Sequence, residues 1–195
     1  MAFIRVFDGR RRTYRYRQEL RRLGLQFSAN PEPHWKAEVS EDCLCELEDW
    51  CFDRKLEIET PFSRRSNDYR KVFFEACGPN FGKDKYLCVY CGFPIPKAKV
   101  TVDHLVAVKK AQRSRYYLRQ LKGRGLKSVN DVLNLVPCCK RCNSRKGAKA
   151  GVWVFRGQLG RCKRFWYFVW VLELLSIFGL LTVAAFVFCK TFFLL

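Results

Sequence analysis

The sequence predicts an α+β chain in three parts: a small α/β unit over residues 1–60, a cysteine-stapled middle unit over 70–164, and a single membrane-crossing helix over 165–189. Three observations predict it. The positive charge is confined to the middle, two CxxC pairs bracket that middle, and one long apolar run follows it. Of 195 residues, 37 are Lys or Arg and 18 are Asp or Glu, a formal charge of +19. With 49% apolar residues, the chain carries too much hydrophobic material for a disordered polycation. A charge of this size selects an anionic partner, either a nucleic acid or a membrane surface. Residues 1–60 hold 11 basic and 12 acidic side chains, whereas residues 61–164 hold 25 and 5, a net +20. Beyond them, Glu173 and Lys190 cancel.

The first unit opens with Phe3–Phe7, short and apolar enough for a strand. A basic helix over Tyr14–Leu23 follows and stops at Gly24. Phe27 and Trp35–Val39 make a strand or hairpin, with His34 as a hairpin residue rather than a metal ligand. Ser40 caps a second helix, with Glu41 and Asp42 in its first turn, where the helix dipole favours anions. Leu44, Leu47 and Cys51 share one face of that helix, and Leu56–Ile58 supplies the last strand. Cys43, Cys45 and Cys51 contain no CxxC pair and read as buried thiols. The unit reads as a targeting or interaction module. Residues 61–69, with Pro61, Ser63 and Ser66, read as a linker.

In the middle unit, Cys88-Val89-Tyr90-Cys91-Gly92 is followed, after 47 intervening residues, by Cys139-Lys140-Arg141-Cys142. Each pair makes a tight knuckle, and two knuckles supply the four thiolates of a tetrahedral structural Zn²⁺ site. Gly92 permits the sharp turn after the first knuckle. Cys138 stands one residue too far from Cys142, so Cys139 is the expected ligand. Such a site contributes about 10–16 kcal/mol of apparent binding free energy to folding. Its closed shell leaves no coordination position open for chemistry.

Between the knuckles, Lys99-Val100-Thr101-Val102-Asp103-His104 alternates as a strand and ends in Asp-His. Around the second knuckle, Asn134 stands five residues before Cys139, and Asn143 and Lys146 follow Cys142. This order of CxxC, strand-Asp-His, Asn-Leu-x-x-x-Cys and Cys-Asn-x-x-Lys resembles the HNH endonuclease family in its zinc-stapled ββα-metal form. The resemblance covers about residues 70–150, and Asn143 stands where many members carry His. It implies a metal-dependent endonuclease that hydrolyses DNA phosphodiester bonds, leaving 3′-hydroxyl and 5′-phosphate ends. It further implies His104 as the general base, with Asn134 holding the imidazole through a hydrogen bond. Asp103 and Asn143 are then the oxygen ligands of one catalytic divalent cation, Mg²⁺ or another. The reading from a different class is a non-catalytic, membrane-anchored zinc module that binds nucleic acid or a protein partner.

Eight basic residues stand between His104 and Asn134, interleaved with Tyr116 and Tyr117 and with no acid before Asp131. Lys109, Lys110, Arg113 and Arg115 from this run, with Arg145 and Lys146 after the second knuckle, are the expected contacts to the DNA phosphate backbone. Binding through them is salt-sensitive and weakly sequence-specific.

From Phe165 to Val187 the chain runs 23 residues with one charge, Glu173. A helix of that length is about 35 Å long and crosses a hydrocarbon core of roughly 30 Å with some tilt. Trp166, Tyr167 and Trp170 suit the lipid headgroup layer. Arg156, Arg161, Lys163 and Arg164 stand upstream and only Lys190 downstream, which places the N-terminal 164 residues in the cytoplasm. The first twelve residues hold no apolar core that would serve as a signal peptide. The expected arrangement is a single-pass C-terminal anchor in membrane lipid with a short tail over 190–195. Ser176 and Gly179 leave room for a homodimer through that helix.

Overall fold

The computed structural model describes residues 1–193, with side chains to Lys190. It mixes α and β structure, and every strand pairing among the described residues is antiparallel. The first unit runs β1 (Ala2–Phe7), a 3₁₀ turn over Thr13–Tyr16, α1 (Arg17–Arg22), β2 (Gln26–Ser28), β3 (His34–Val39), α2 (Glu41–Asp53) and β4 (Glu57–Glu59). Its four strands form one sheet in the order β2-β3-β1-β4. Ile4 and Val6 of β1 point inward, and Val6 lies opposite both Trp35 and Ile58. Leu20 of α1 and Leu47 and Cys51 of α2 close this core. Ser40 caps α2 by accepting from the Cys43 N–H at 3.4 Å.

Three expectations need correction here. The basic helix begins at Arg17, because Asp8 Oδ1 accepts from both the N–H and the hydroxyl of Thr13 and holds a tighter 3₁₀ turn before it. Of the three N-terminal cysteines only Cys51 is buried, its thiol pushed up to about 12 by burial, while Cys43 and Cys45 lie on the outer face of α2. Residues 61–69 are a packed strap rather than a free linker. Thr60 and Ser63 bond reciprocally, the Phe62 carbonyl accepts from the Val129 N–H, and Gln112 donates to the Ser63 carbonyl.

The middle unit continues with α3 (Tyr69–Ala76), β5 (Lys85–Leu87), β6 (Pro94–Pro96), β7 (Thr101–His104), α4 (Val108–Arg113), α5 (Arg115–Gly123), β8 (Leu135–Cys138), α6 (Lys140–Lys146) and α7 (Val152–Gly160). Its β structure is two short ladders, β5 with β6 and β7 with β8, joined where the Val89 N–H donates to the Pro137 carbonyl. A second core centred on Phe73, Tyr86, Tyr90, Val102, Leu121 and Val136 fills the space between ladders and helices.

The two units meet along α2 and β4 on one side and α4 and α5 on the other. Glu48 pairs with Lys122 at 2.8 Å, Asp49 with Arg115 at 2.6 Å and Arg119 at 3.0 Å, Asp53 with Arg115 at 2.9 Å, and Glu57 with Arg113 at 2.5 Å. Half of the eight-residue basic run is therefore occupied by the first unit. This corrects the expectation for Arg113 and Arg115, whose guanidiniums already hold carboxylates.

The last helix, α8 (Lys163–Phe193), is long and apolar enough over Lys163–Lys190 to cross a membrane. Its most apolar stretch has mean hydropathy 2.4 and no buried residue. Trp166 departs from the expected headgroup position: it is buried against Gly92, and its indole donates to the Gly160 carbonyl at 2.9 Å. Gly92 is glycine on two counts, a left-handed φ of +70° and the Trp166 ring lying where a Cβ would stand. Part of the expected tail is helical to Phe193, and residues 194 and 195 lie outside the described residues.

Candidate functional site

The two knuckles converge. Cys88 and Cys91 sit in the β5–β6 hairpin loop, and Cys139 and Cys142 lie at the start of α6. The four ligand atoms all lie within 4.8 Å of one another, and Cys91 Sγ stands 4.0 Å from Cys139 Sγ. A tetrahedron with Zn–S near 2.3 Å has an edge of about 3.8 Å, so the cluster fits a four-thiolate metal centre. Backbone N–H groups of Cys139 and Cys142 point at Cys88 and Cys139 sulfurs at 3.4 Å, favouring thiolate. As free thiols, three of the four titrate unlike one another. The Cys88 hydrogen bond draws the Cys91 thiol down to about 5, the same contact raises Cys88, and burial pushes Cys142 up to about 12. Cys138 stays outside the cluster, bonded through Thr101 on β7.

The cysteine cluster lies at the N-terminus of α6, and α6 faces the end of β7. A cleft of about 310 Å³ opens there, and its lining includes Asp103, His104, Asn143, Tyr69, Arg65 and Lys109. The expected trio of Asp103, His104 and Asn143 is thus brought together. His104 is 5% exposed, its ring 4.8 Å from that of Tyr69. Burial lowers its pKa from the usual histidine value, which favours the neutral ring.

The residue that holds the imidazole is Asn130, not Asn134. His104 Nε2 lies 3.1 Å from Asn130 Oδ1. The Asn130 amide is oriented at both ends, its oxygen accepting from the Ser66 N–H at 3.1 Å and its NH₂ donating to the Arg64 carbonyl at 2.8 Å. That orientation assigns the His104 proton to Nε2 and leaves Nδ1 as an unprotonated acceptor. Asn134 is instead buried behind the strand. It accepts from the Val106 N–H and donates to the Val106 and Val129 carbonyls, clasping the loop that leaves β7.

Lys146 is likewise misplaced as a phosphate contact. It is fully buried, with Nζ 2.8 Å from Asp103 Oδ2 and 2.8 Å from the His104 carbonyl. The Tyr90 hydroxyl donates to the same Asp103 oxygen at 2.7 Å, and burial raises the Tyr90 pKa. Asp103 Oδ2 is therefore spoken for, whereas Oδ1 has no hydrogen-bond partner among the described residues, nor has the Asn143 side chain. One carboxylate and one amide oxygen in a cleft suit a hard cation that keeps most of its waters. The Lys146 ammonium offsets part of the Asp103 charge, so such a cation is held weakly without a further anionic ligand.

Arg65, Tyr69, Tyr90 and Asn130 escaped the sequence reading. Tyr90 lies inside the first knuckle, but nothing in the spacing marks it as reaching Asp103. Asn130 follows His104 by 26 residues of helix and loop, so only folding joins them. The chain matches no protein-family model, no curated protein and no solved structure.

Proposed function

We propose that the protein is a metal-dependent endonuclease of the HNH type that hydrolyses DNA phosphodiester bonds while tethered by α8 to the cytoplasmic face of a membrane. The single observation behind this reading is the His104 ring, held through Nε2 by Asn130 in a cleft shared with Asp103 and Asn143. His104 Nδ1 takes a proton from the attacking water. Asn130 keeps the ring in the productive tautomer, and Tyr69 limits its rotation. Asp103 and Asn143 hold a divalent cation through oxygen, with Tyr90 and Lys146 fixing the carboxylate. When bound, that cation supplies Lewis-acid stabilisation of the phosphate charge and of the leaving 3′ oxygen. Cys88, Cys91, Cys139 and Cys142 hold a structural Zn²⁺ that pins the helix presenting Asn143.

Full-length protein in detergent, incubated with supercoiled plasmid and Mg²⁺, is expected to nick and linearise it with 5′-phosphate ends. EDTA or His104→Ala should abolish this, and Asn130→Ala should lower the rate about a hundredfold or more at unchanged DNA affinity. Equal plasmid integrity with and without Mg²⁺, and with His104→Ala, would overturn the nuclease reading. Membrane association is checked separately by carbonate-resistant pelleting, which deletion of 165–189 should abolish.

A further inference from the structure

We propose that the N-terminal unit is one wall of the DNA channel, with Arg10 and Lys55 contacting backbone phosphates on the approach to His104. This deepens the nuclease reading and rests on it. Between the units lies a second cleft of about 310 Å³, lined by Arg10, Lys55, Lys109, Lys110 and Arg113, with no carboxylate on its walls. It shares Lys109 and Ala148 with the His104 cleft. It also shares Lys110 and Ala148 with a wider trough of about 660 Å³ that leads to Arg145 and Lys149. The three adjoin through these shared residues, while Asp8, Glu32, Glu57 and Glu59 lie apart from them in a neighbouring cleft that also holds Lys109 and Arg113.

The charges along the three adjoining clefts differ from those on α5. There, Arg115, Arg119 and Lys122 each hold a carboxylate of the first unit, and beside them Arg113 holds Glu57. Arg10, Lys55 and Lys109 have no ion pair among the described residues, and Lys110 meets only the Tyr117 ring. Uncompensated cations around one cleft repel each other, and a polyanion that displaces their counterions gains affinity.

The backbone shows how the wall is held. Lys55 has φ +58°, the left-handed region, at a helix end where glycine is the usual occupant. Its carbonyl accepts from the Arg10 N–H at 2.9 Å. Gly9 must be glycine, since a Cβ there would overlap that carbonyl oxygen. The two turns are locked to each other through main chain, which leaves both long cationic side chains free to face the cleft. A left-handed lysine stands where glycine would fit more easily, an outlier that points to a use for its side chain. The occupant is DNA rather than lipid, because this cleft shares Lys109 and Ala148 with the His104 cleft, where the proposed reaction takes a phosphodiester.

The test measures binding of full-length, detergent-solubilised His104→Ala protein to a fluorescein-labelled DNA duplex by anisotropy over a salt series. Adding Arg10→Ala with Lys55→Ala should weaken binding about tenfold and lower the salt slope by between one and two, as expected for two lost phosphate contacts. A charge-matched control, Arg15→Ala with Arg22→Ala, should change affinity less than twofold. Lys55→Gly alone, which suits the left-handed backbone, should weaken binding while thermal stability holds or rises. Unchanged affinity and slope in the Arg10/Lys55 variants, or equal losses in the control, would overturn the channel wall and leave the nuclease reading standing. A parent protein that binds no DNA would overturn both.

Discussion

In the N-terminal unit, β1 is hydrogen-bonded along both edges within one four-stranded sheet, and apolar side chains from two helices close over it. The middle unit is larger yet has only two-stranded ladders, of three and four residues. Its joints are polar: four cysteines within reach of one metal ion, Asn134 clasping a loop through three backbone groups, and Lys146 bridging Asp103 and the His104 carbonyl. Short strands bury little surface and leave many backbone groups to be satisfied, so discrete staples replace the continuous sheet. Staples are also what a site needs, since they fix individual side chains rather than a whole surface. The difference predicts all-or-none failure in one unit and graded loss in the other.

The largest effect should come from the cysteine cluster. Stripping metal from it, or Cys139→Ala, removes on the order of 10 kcal/mol from the middle unit. Hydrogen exchange should then show β7 and β8 unprotected while β1 and β3 keep their protection. Simultaneous loss in both units would break the comparison and make the chain one cooperative body. Next, Lys146→Ala leaves the Asp103 carboxylate without its ammonium partner and should cost about 3–5 kcal/mol in denaturant unfolding. A loss below about 1 kcal/mol would mean that Tyr90 and solvent suffice for Asp103.

In the N-terminal unit the response should be smaller. Ile4→Val, in the centre of the sheet, should cost about 1 kcal/mol with the fold retained. The smallest effect is expected at the joint between the units. Burial, opposed by Lys122, raises the Glu48 pKa from its ordinary value. A raised folded value means the folded state holds the proton more tightly, so this contribution is greatest in acid and is lost as pH rises from about 4 through the folded value. Glu48→Gln should therefore change stability by less than about 1 kcal/mol at pH 7 and flatten the stability profile over that acidic window. A loss of 2 kcal/mol or more at pH 7 would show that the Glu48–Lys122 pair is what joins the units.

Local features were legible in the residues. Ser40 caps α2 because an N-cap acts within three positions, and Leu47 and Cys51 turn inward because they share a helical face. Where distant residues compete, the local pattern does not decide a side chain's state. Lys146 and Arg115 look like free surface cations in a basic run, and each is bound to a carboxylate more than forty residues away. Asn134 and Asn130 are chemically identical amides four residues apart, and only the path of the 61–69 strap decides which one meets His104.

By itself the sequence determined the paired cysteine knuckles, the strand ending in Asp103 and His104, and a helix long and apolar enough for a membrane. Each depends on spacing of 1.5 to 3.4 Å per residue along a local element. Tertiary structure alone decided the tautomer of His104, the burial of Lys146 and Trp166, and which cations face a carboxylate and which remain unpaired. Those outcomes depend on contacts between segments far apart in the chain, where charge and burial are set by the partner and not by the residue.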